Sequence, residues 1–263
     1  MSYELQEKHI DLFNYRTIYL EGGIATNSEP ILFLHGWTVS TEPYQETLKL
    51  LCQHYHVIAP DLPGFGKTSH PFFVASYDEY VDCLVAFIKA LDLQKVHVIG
   101  HSGGGAVGVA LAAAIPNVVS SLIIIDSTGI PLGSLPEVAL RRLIDLPAQI
   151  GKIELVPTIQ FFQAIISNSI FKPLNMLQAV WLALEKDIRP LLPQIHCPTL
   201  IVWGDRDLFV PVKFADDFAR GIRNSQLMIL EGEYHEWIFY RSQKCVTIIC
   251  NFLHQVERSH SFS

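Results

Sequence analysis

Residues 96–104 read VHVIGHSGG, and this stretch decides the fold that we predict for the chain. Its β-branched, apolar start predicts a strand, and the small, apolar residues 106–111 that follow predict a closely packed helix. Between the two lies a Gly-x-Ser-x-Gly motif centred on Ser102. A serine on such a sharp turn has its hydroxyl lifted above the sheet edge, and the next backbone N–H groups point the same way. Side chains at Gly100 or Gly104 would collide with neighbouring backbone, so we expect both positions to require glycine.

The rest of the chain alternates apolar runs with helical patterns. The runs at 31–34, 57–59, 122–125 and 199–203 have the length and unbroken hydrophobicity of strands that are buried on both faces of a sheet. Strands that alternate with helices imply a doubly wound, mostly parallel sheet. The sequence therefore predicts a protein of the α/β class.

Residues 130–192 break this alternation, because they read as several helices separated by prolines, with no strand pattern between them. An insertion that leaves the sheet after one strand and returns before the next would lie over the carboxyl ends of the strands, where open α/β sheets bind ligands. We therefore predict a core made of 1–129 and 193–263, with a helical cap at 130–192. A helical layer that only packs on the core is the alternative.

Composition excludes several classes of protein. The chain has 263 residues, enough for one domain, and 49% of them are hydrophobic, enough for a large core. A net charge of −7 argues against a nucleic-acid partner, and no apolar run is long enough to span a bilayer. No signal-peptide pattern opens the chain, and five cysteines without C-x-x-C spacing predict free thiols in a reducing, cytoplasmic compartment. The eleven histidines include no pair with ligand spacing beside carboxylates, so we expect no metal; the oligomeric state stays open.

Two nucleotide-binding patterns also occur in the sequence. Residues 103–108 match G-x-G-x-x-G, and Asp126 ends the next apolar run, as in a dinucleotide-binding fold. The first glycine of that fingerprint should close the strand, however, and counting from Gly100 puts a serine where the second glycine belongs. Residues 66–68 read GKT like the end of a P-loop, but the first glycine of that loop would fall on Asp61. We therefore expect no cofactor.

Several short motifs follow one another along nearly the whole chain. In order they are HGW at 35–37, DLPGFG at 61–66, GHSGG at 100–104, WGDRDLFVP at 203–211 and GEYH at 232–235. With these motifs the chain resembles the α/β-hydrolase superfamily, and cap-bearing esterases and carbon–carbon bond hydrolases look most similar. The resemblance implies the α/β-hydrolase fold. One departure is Gly103, where many relatives carry a bulky residue, and the missing side chain predicts a pocket that is open on that side.

The chemistry calls for a serine, a base and a carboxylate. An unassisted serine hydroxyl is a poor nucleophile at neutral pH, so Ser102 needs a base. His235 can serve, because imidazole has a pKa of ~6.5, and a carboxylate must then hold the ring in the right tautomer. The resemblance favours Asp207 for that role, in the chain order serine, aspartate, histidine. Asp126 and Asp205 stay open as alternatives.

Further residues are expected to bind the reacting carbonyl and the substrate. The backbone N–H groups of Trp37 and Gly103 would form an oxyanion hole, and His35 would brace the loop that carries Trp37. Apolar side chains of the predicted cap would line a substrate pocket. The predicted substrate-binding residues are Trp37, Phe161, Phe162 and Trp181.

These features predict a serine hydrolase that cleaves carboxylic esters of apolar small molecules through an acyl-enzyme intermediate. A carbon–carbon bond hydrolase, a lipase or a cofactor-free, peroxidase-like enzyme of the same fold would use the same residues. An alternative of another class is a small-molecule receptor that retains the three residues but turns its ligand over slowly. Turnover of a panel of acyl esters separates these hypotheses.

Overall fold

The centre of the molecule is an eight-stranded sheet, and the computed structural model describes residues 4–13, 15–24, 28–69, 74–149 and 154–260. The strands are β1 (Gln6–Leu12), β2 (Tyr15–Gly22), β3 (Ile31–Leu34), β4 (Val57–Pro60), β5 (Val96–His101), β6 (Val119–Ile125), β7 (Thr199–Gly204) and β8 (Ser225–Leu230). They lie in the order β1-β2-β4-β3-β5-β6-β7-β8. Neighbours from β4 to β8 pair in parallel, whereas β1 pairs antiparallel with β2, and β2 with β4. This mostly parallel sheet confirms the predicted fold class.

Both faces of the sheet are buried under helices. The helices are α1 (Gln45–Leu51), α2 (Tyr77–Ala90), α3 (Gly103–Ala114), α4 (Leu135–Ala148), α5 (Leu155–Phe171), α6 (Pro173–Glu185), α7 (Lys213–Gly221), α8 (Trp237–Tyr240) and α9 (Ser242–His260), with 3-10 turns at Glu42–Tyr44 and Arg189–Gln194. Alternate residues of β3 enter two separate hydrophobic clusters, because successive side chains of a strand point to opposite faces. Leu32 and Leu34 belong to one cluster, and Ile31 and Phe33 to the other.

Across the part of the chain that the structure describes, the helices lack the combined length and apolar character that crossing a bilayer requires.

The segment between β6 and β7 forms α4, α5 and α6, which we call the cap helices. Hydrogen bonds join them to the loops that follow β3 and β4: Asn168 Nδ2 donates to Thr38 O at 3.0 Å, and Lys172 Nζ donates to Gly66 O at 2.6 Å. These loops leave the carboxyl ends of parallel strands, so the cap helices lie at that edge of the sheet. The boundaries of the predicted cap at 130–192 stay a prediction.

The turn between β5 and α3 depends on very close backbone contacts. A Cβ atom at Gly100 would lie 2.3 Å from Gly104 O, and one at Gly104 would lie 2.2 Å from Leu34 O. Both distances are far inside van der Waals contact with backbone atoms that the sheet holds in place. The predicted requirement for glycine at these two positions is therefore confirmed.

We expect Gly104→Ala to lower the free energy of unfolding by about 3 kcal/mol or more. Overpacking a core usually costs about 1–3 kcal/mol, and the cost is highest where the new atom meets backbone that cannot move. Gly108→Ala is the matched control on the same helix. There the nearest atoms are flexible side-chain methyl groups of Val98 and Leu122, at 3.2 and 3.3 Å. Alanine also gains up to about 1 kcal/mol in helix propensity, so this variant should stay within about 1 kcal/mol of the parent. Urea unfolding measures both, and equal effects would contradict the steric argument.

Candidate active site

Ser102 lies in the turn between β5 and α3 with φ 54° and ψ −120°, a conformation that non-glycine residues seldom adopt. Hydrogen bonds fix the turn on both sides. The N–H of Ser102 donates to Ile125 O at 2.9 Å, and its carbonyl accepts from Gly105 N–H at 3.0 Å. Backbone strain that the surrounding structure enforces in this way is characteristic of functional positions.

The structure brings His235 and Asp207 together beside this serine. His235 Nε2 lies 3.1 Å from Ser102 Oγ, and His235 Nδ1 lies 2.7 Å from Asp207 Oδ2. The tautomer with hydrogen on Nδ1 satisfies both contacts, since it donates to the carboxylate and accepts from the hydroxyl. The second carboxylate oxygen of Asp207 accepts from Val210 N–H at 2.7 Å, which fixes the carboxylate plane. All three side chains are buried.

Burial lowers the pKa of His235 below its ordinary value of ~6.5, because the positive imidazolium loses its hydration. The carboxylate of Glu236, the next residue, opposes this shift, while the nearby guanidinium of Arg142 adds to it. The net direction is downward, so the ring is neutral at pH 7. A neutral imidazole in contact with a serine hydroxyl can accept its proton.

The other two candidate aspartates bind elsewhere. Asp126 Oδ1 accepts from Gly204 N–H at 2.8 Å, and its Oδ2 accepts from the indole Nε1–H of Trp237 at 2.5 Å. Asp205 Oδ1 accepts from Gly232 N–H at 2.6 Å. Both carboxylates thus tie together the loops that follow β6, β7 and β8, and Asp207 is the one that contacts the imidazole.

The ring of Trp37 packs on Gly103, the residue that follows Ser102. Gly103 begins α3, so its N–H has no acceptor within the helix and is available to a bound group. The loop that carries Trp37 is braced by His35, whose Nδ1 contacts Gly36 O at 2.6 Å and whose Nε2 accepts from Leu62 N–H at 2.8 Å. The residues of the predicted oxyanion hole thus lie on a braced loop and at a helix N-terminus, and the pairing of their N–H groups stays a prediction.

The expectation of a pocket open at Gly103 is wrong. A Cβ atom at this position would lie 2.4 Å from Cδ2 of the Trp37 ring. The indole occupies the space that a side chain at position 103 would take. The pocket is therefore closed on this side by Trp37, which comes from the neighbouring loop. Glycine is needed here because the ring of Trp37 packs directly on the backbone of α3.

A cavity of about 220 Å³ opens beside Ser102 and His235. Apolar side chains from the core and from the cap helices form most of its wall, namely Trp37, Val39, Phe161, Ile165, Val180, Phe209 and Phe239. Trp37 and Phe161 thus lie where they were expected. Phe162 and Trp181 do not: each comes one residue, or about 100° of helix, after a lining residue, and both side chains are exposed on the outer surface.

Sequence reasoning missed a buried charged cluster beside the cavity. The guanidinium of Arg142 on α4 contacts the carboxylate of Glu236 and lies 3.1 Å from Asp145 Oδ2. Gln149 Nε2 donates to both carboxylates, at 2.6 Å to Glu236 and 2.9 Å to Asp145. The guanidinium also stacks 4.6 Å from the centre of the Phe209 ring. The position of Glu236 directly after the predicted base was the one signal in the sequence.

His101 and Tyr44 connect the loops on the opposite side. Tyr44 OH accepts from Gly36 N–H at 2.9 Å and lies 2.7 Å from His101 Nδ1, while His101 Nε2 lies 3.1 Å from His235 O. Burial lowers the pKa of His101 to about 3, so the ring stays neutral and donates from Nε2 to the carbonyl. The chain of bonds holds the loop of Trp37 and the loop of His235 at a fixed separation.

The alpha/beta hydrolase family model matches residues 31–247 of this sequence. The chain belongs to the alpha/beta hydrolase family. Human monoacylglycerol lipase ABHD6 is 27% identical to it over 285 residues, which cover 97% of this chain and 84% of the lipase. The 2-hydroxy-6-oxo-6-(2'-aminophenyl)hexa-2,4-dienoic acid hydrolase of Metapseudomonas resinovorans is 28% identical over 239 residues, covering 83% of this chain and 81% of that enzyme. Among solved structures, a membrane phospholipase A described as a bacterial virulence factor gives a TM-score of 0.82 at 25% identity, covering 96% of this chain and 87% of that one.

We expect the imidazole of His235 to titrate below ~6.5, so that its neutral form predominates at pH 6.5 and above, because burial disfavours its charged form. Glu236→Gln should move this pKa further down, since it removes a negative charge that stabilises the imidazolium. Nitrogen NMR of labelled histidine measures both values, with His235→Gln identifying the signal. Glu233→Gln, which makes the same change three positions before Glu236, is the control. A His235 pKa above the ordinary value, or one unmoved by Glu236→Gln, would contradict this electrostatic account.

We expect Gly103→Ala to lower the free energy of unfolding by about 1–3 kcal/mol, because the new Cβ overlaps the Trp37 ring. In a Trp37→Ala background the same change should cost less, with a coupling of about 1–2 kcal/mol between the two sites. Urea unfolding of the single and double variants measures this. Gly108→Ala combined with Trp37→Ala is the control and should be additive. Additivity at Gly103 as well would show that the indole does not occupy this space.

Proposed function

We propose that this chain is a carboxylic-ester hydrolase in which Ser102 is the nucleophile, His235 the general base and Asp207 the carboxylate that orients it. The observation that carries the proposal is the continuous line of contacts from Ser102 Oγ through His235 to Asp207 Oδ2, at 3.1 and 2.7 Å, beside an apolar cavity. Few arrangements other than a nucleophile with its base require a strained, buried serine in such a line.

In the first half-reaction Ser102 Oγ attacks the ester carbonyl and its proton passes to His235 Nε2. The carbonyl oxygen becomes an oxyanion, which the N–H groups of Trp37 and Gly103 bind. The intermediate collapses as His235 returns the proton to the leaving alcohol, and the acyl group stays on Ser102. Water then attacks this acyl-enzyme, with His235 again as the base, and releases the acid. Asp207 stabilises the imidazolium in both halves.

The charges around the cavity support a neutral substrate. Arg142 is the cation that lines the cavity, among the residues that the structure describes, and Glu236 and Asp145 already neutralise it. A substrate with its own carboxylate would have to displace one of these two carboxylates from Arg142. Removing one partner from a buried ion pair typically costs about 3–5 kcal/mol. One of the relatives is named a monoacylglycerol lipase, for an uncharged acyl ester of glycerol, and we propose the same class, neutral long-chain acyl esters, for this chain.

Carbon–carbon bond hydrolysis is the second candidate, because the Metapseudomonas resinovorans relative is named as the hydrolase of a 6-oxo-dienoic acid, a compound without an ester bond. That substrate is named as a dienoic acid. Its carboxylate would find Arg142 already paired with Glu236 and Asp145. The compensated guanidinium therefore favours the ester over the acid. A peroxidase-like activity and a slow receptor have no comparable observation in their favour.

We expect a fluorophosphonate probe to label Ser102, and Ser102→Ala to abolish both labelling and turnover of p-nitrophenyl butyrate. Asp207→Asn should lower kcat by about 10⁴, because His235 would lose its tautomer and orientation. Asp126→Asn is the matched control and should cost much less, provided that thermal unfolding shows it to be folded. Full turnover by Ser102→Ala would disprove the mechanism, and a larger loss in Asp126→Asn than in Asp207→Asn would move the carboxylate role to Asp126.

The same assay tests the substrate class. A neutral monoacylglycerol and p-nitrophenyl butyrate should be hydrolysed with a higher kcat/KM than p-nitrophenyl hemisuccinate, which carries a carboxylate on its acyl chain. Preference for the charged ester would show that Arg142 is free to bind anions. It would then favour the carbon–carbon hydrolase alternative.

A further inference from the structure

The outer surface of the cap helices is apolar to an unusual degree. The large hydrophobic side chains exposed there are Leu135, Leu140, Leu143, Ile144, Leu155, Val156, Ile159, Phe162, Ile166, Ile170, Phe171, Leu174, Leu177, Val180 and Trp181, which we call the cap face. Exposed fractions reach 73% at Leu155 and 76% at Phe171. Exposed hydrophobic residues scattered singly are normal, but a contiguous patch on neighbouring helices marks an interaction surface.

The part of the cap face that lies on α5 and α6 is also almost free of charge. From 155 to 184 the sequence contains one charged residue, Lys172. Its Nζ donates to the carbonyls of Gly66 and Thr68, at 2.6 and 2.8 Å, so this charge is bound on the core side. A helix exposed to water ordinarily has a polar outer face. α5 instead has no ionisable residue on any side.

We infer that the cap face docks on the surface of a zwitterionic lipid bilayer. This inference rests on the proposed function, because an enzyme for long-chain acyl esters finds its substrate in such a bilayer. The helices would lie in the interface with their apolar side chains among the acyl chains, as amphipathic interfacial helices do. The partner is identified by its chemistry: an apolar interior beneath headgroups without net charge.

Charge decides between a lipid surface and a second copy of the chain. Each copy carries a net charge of −7, so two copies repel at long range, and the one charged residue from 155 to 184, Lys172, is already bound to backbone carbonyls and cannot compensate. The negative charge equally disfavours an anionic membrane. At the edge of the face Lys186 Nζ lies 4.7 Å from the centre of the Trp181 ring. An aromatic ring with a long cationic side chain beside it is the arrangement that suits a membrane–water interface.

The cap face and the cavity share a residue. Val180 is exposed on α6 and also lines the cavity beside Ser102. An acyl chain that leaves the lipid near Val180 would reach the cavity over apolar side chains. A second copy of the chain on this face would instead cover that approach.

Flotation with phosphatidylcholine vesicles tests the inference. The parent protein should float with the vesicles, and raising the salt concentration should not release it, because no charge pairing is involved. The double variant Leu174→Glu/Leu177→Glu should bind at least 10-fold more weakly, since both charges would have to enter the acyl region. Leu227→Glu/Ile229→Glu on β8 is the matched control, with two exposed apolar residues outside the cap face. It should float like the parent.

Hydrolysis of water-soluble p-nitrophenyl butyrate separates failure of this inference from failure of the proposed function. None of the four substituted residues lines the cavity, so every variant should hydrolyse this ester at the parental rate. A parent that hydrolyses the ester but does not float overturns lipid docking alone, whereas a parent that floats but has no hydrolytic activity overturns the proposed function alone. A dimer in sedimentation that only the cap-face variant loses would assign the face to a second copy and overturn lipid docking.

Discussion

The close approach of three backbone segments around Ser102 is the constraint on which the rest of the site depends. Gly100, Gly104 and Leu34 bring β5, α3 and the end of β3 to distances that no Cβ atom could enter. Because the turn is this tight, Ser102 is held in its strained backbone conformation, and α3 begins at the next residue. The N–H of Gly103, the first of α3, follows Ser102 directly and has no acceptor within the helix. Packing of the fold and geometry of the site are thus set by the same contacts.

Two hydrogen-bonded systems, one on each side, fix the loop of His235 against this turn. On one side Tyr44 and His101 connect it to the loop of Trp37 through neutral groups. On the other side Glu236 joins it to Arg142 on α4, so the position of the imidazole depends on how the cap helices pack. Buried ion pairs contribute little net stability, but removing one partner is costly, which makes them effective in fixing a single arrangement. The cap helices therefore contribute to the geometry around His235 as well as to the cavity wall.

Local patterns predicted the strand–turn–helix at Ser102 and most of the sheet, because buried parallel strands and tight glycine turns leave short-range signals. The motif order also pointed to His235 and Asp207, although only the folded loops separate Asp207 from Asp126 as the partner of the imidazole. The cluster of Arg142 and Glu236 could not be predicted from the sequence, because pairing between distant segments leaves no local pattern. Phe162 was misplaced for a related reason: a helix that is apolar on all sides does not reveal which face is buried.

The distribution of charge connects the cavity with the outer surface. Asp207, Asp145 and Glu236 lie buried near one guanidinium, and an anionic substrate would add to an environment that already holds more negative than positive groups. A neutral acyl group avoids this repulsion, and its burial also removes water from around His235 and Asp207. Electrostatic interactions between these groups strengthen as the local dielectric constant falls. Binding of an apolar substrate would therefore strengthen the interaction between Asp207 and the imidazole of His235. From 155 to 184 the single charged residue is Lys172, which is bound to backbone carbonyls, and this composition is consistent with a ligand that is apolar along its whole length.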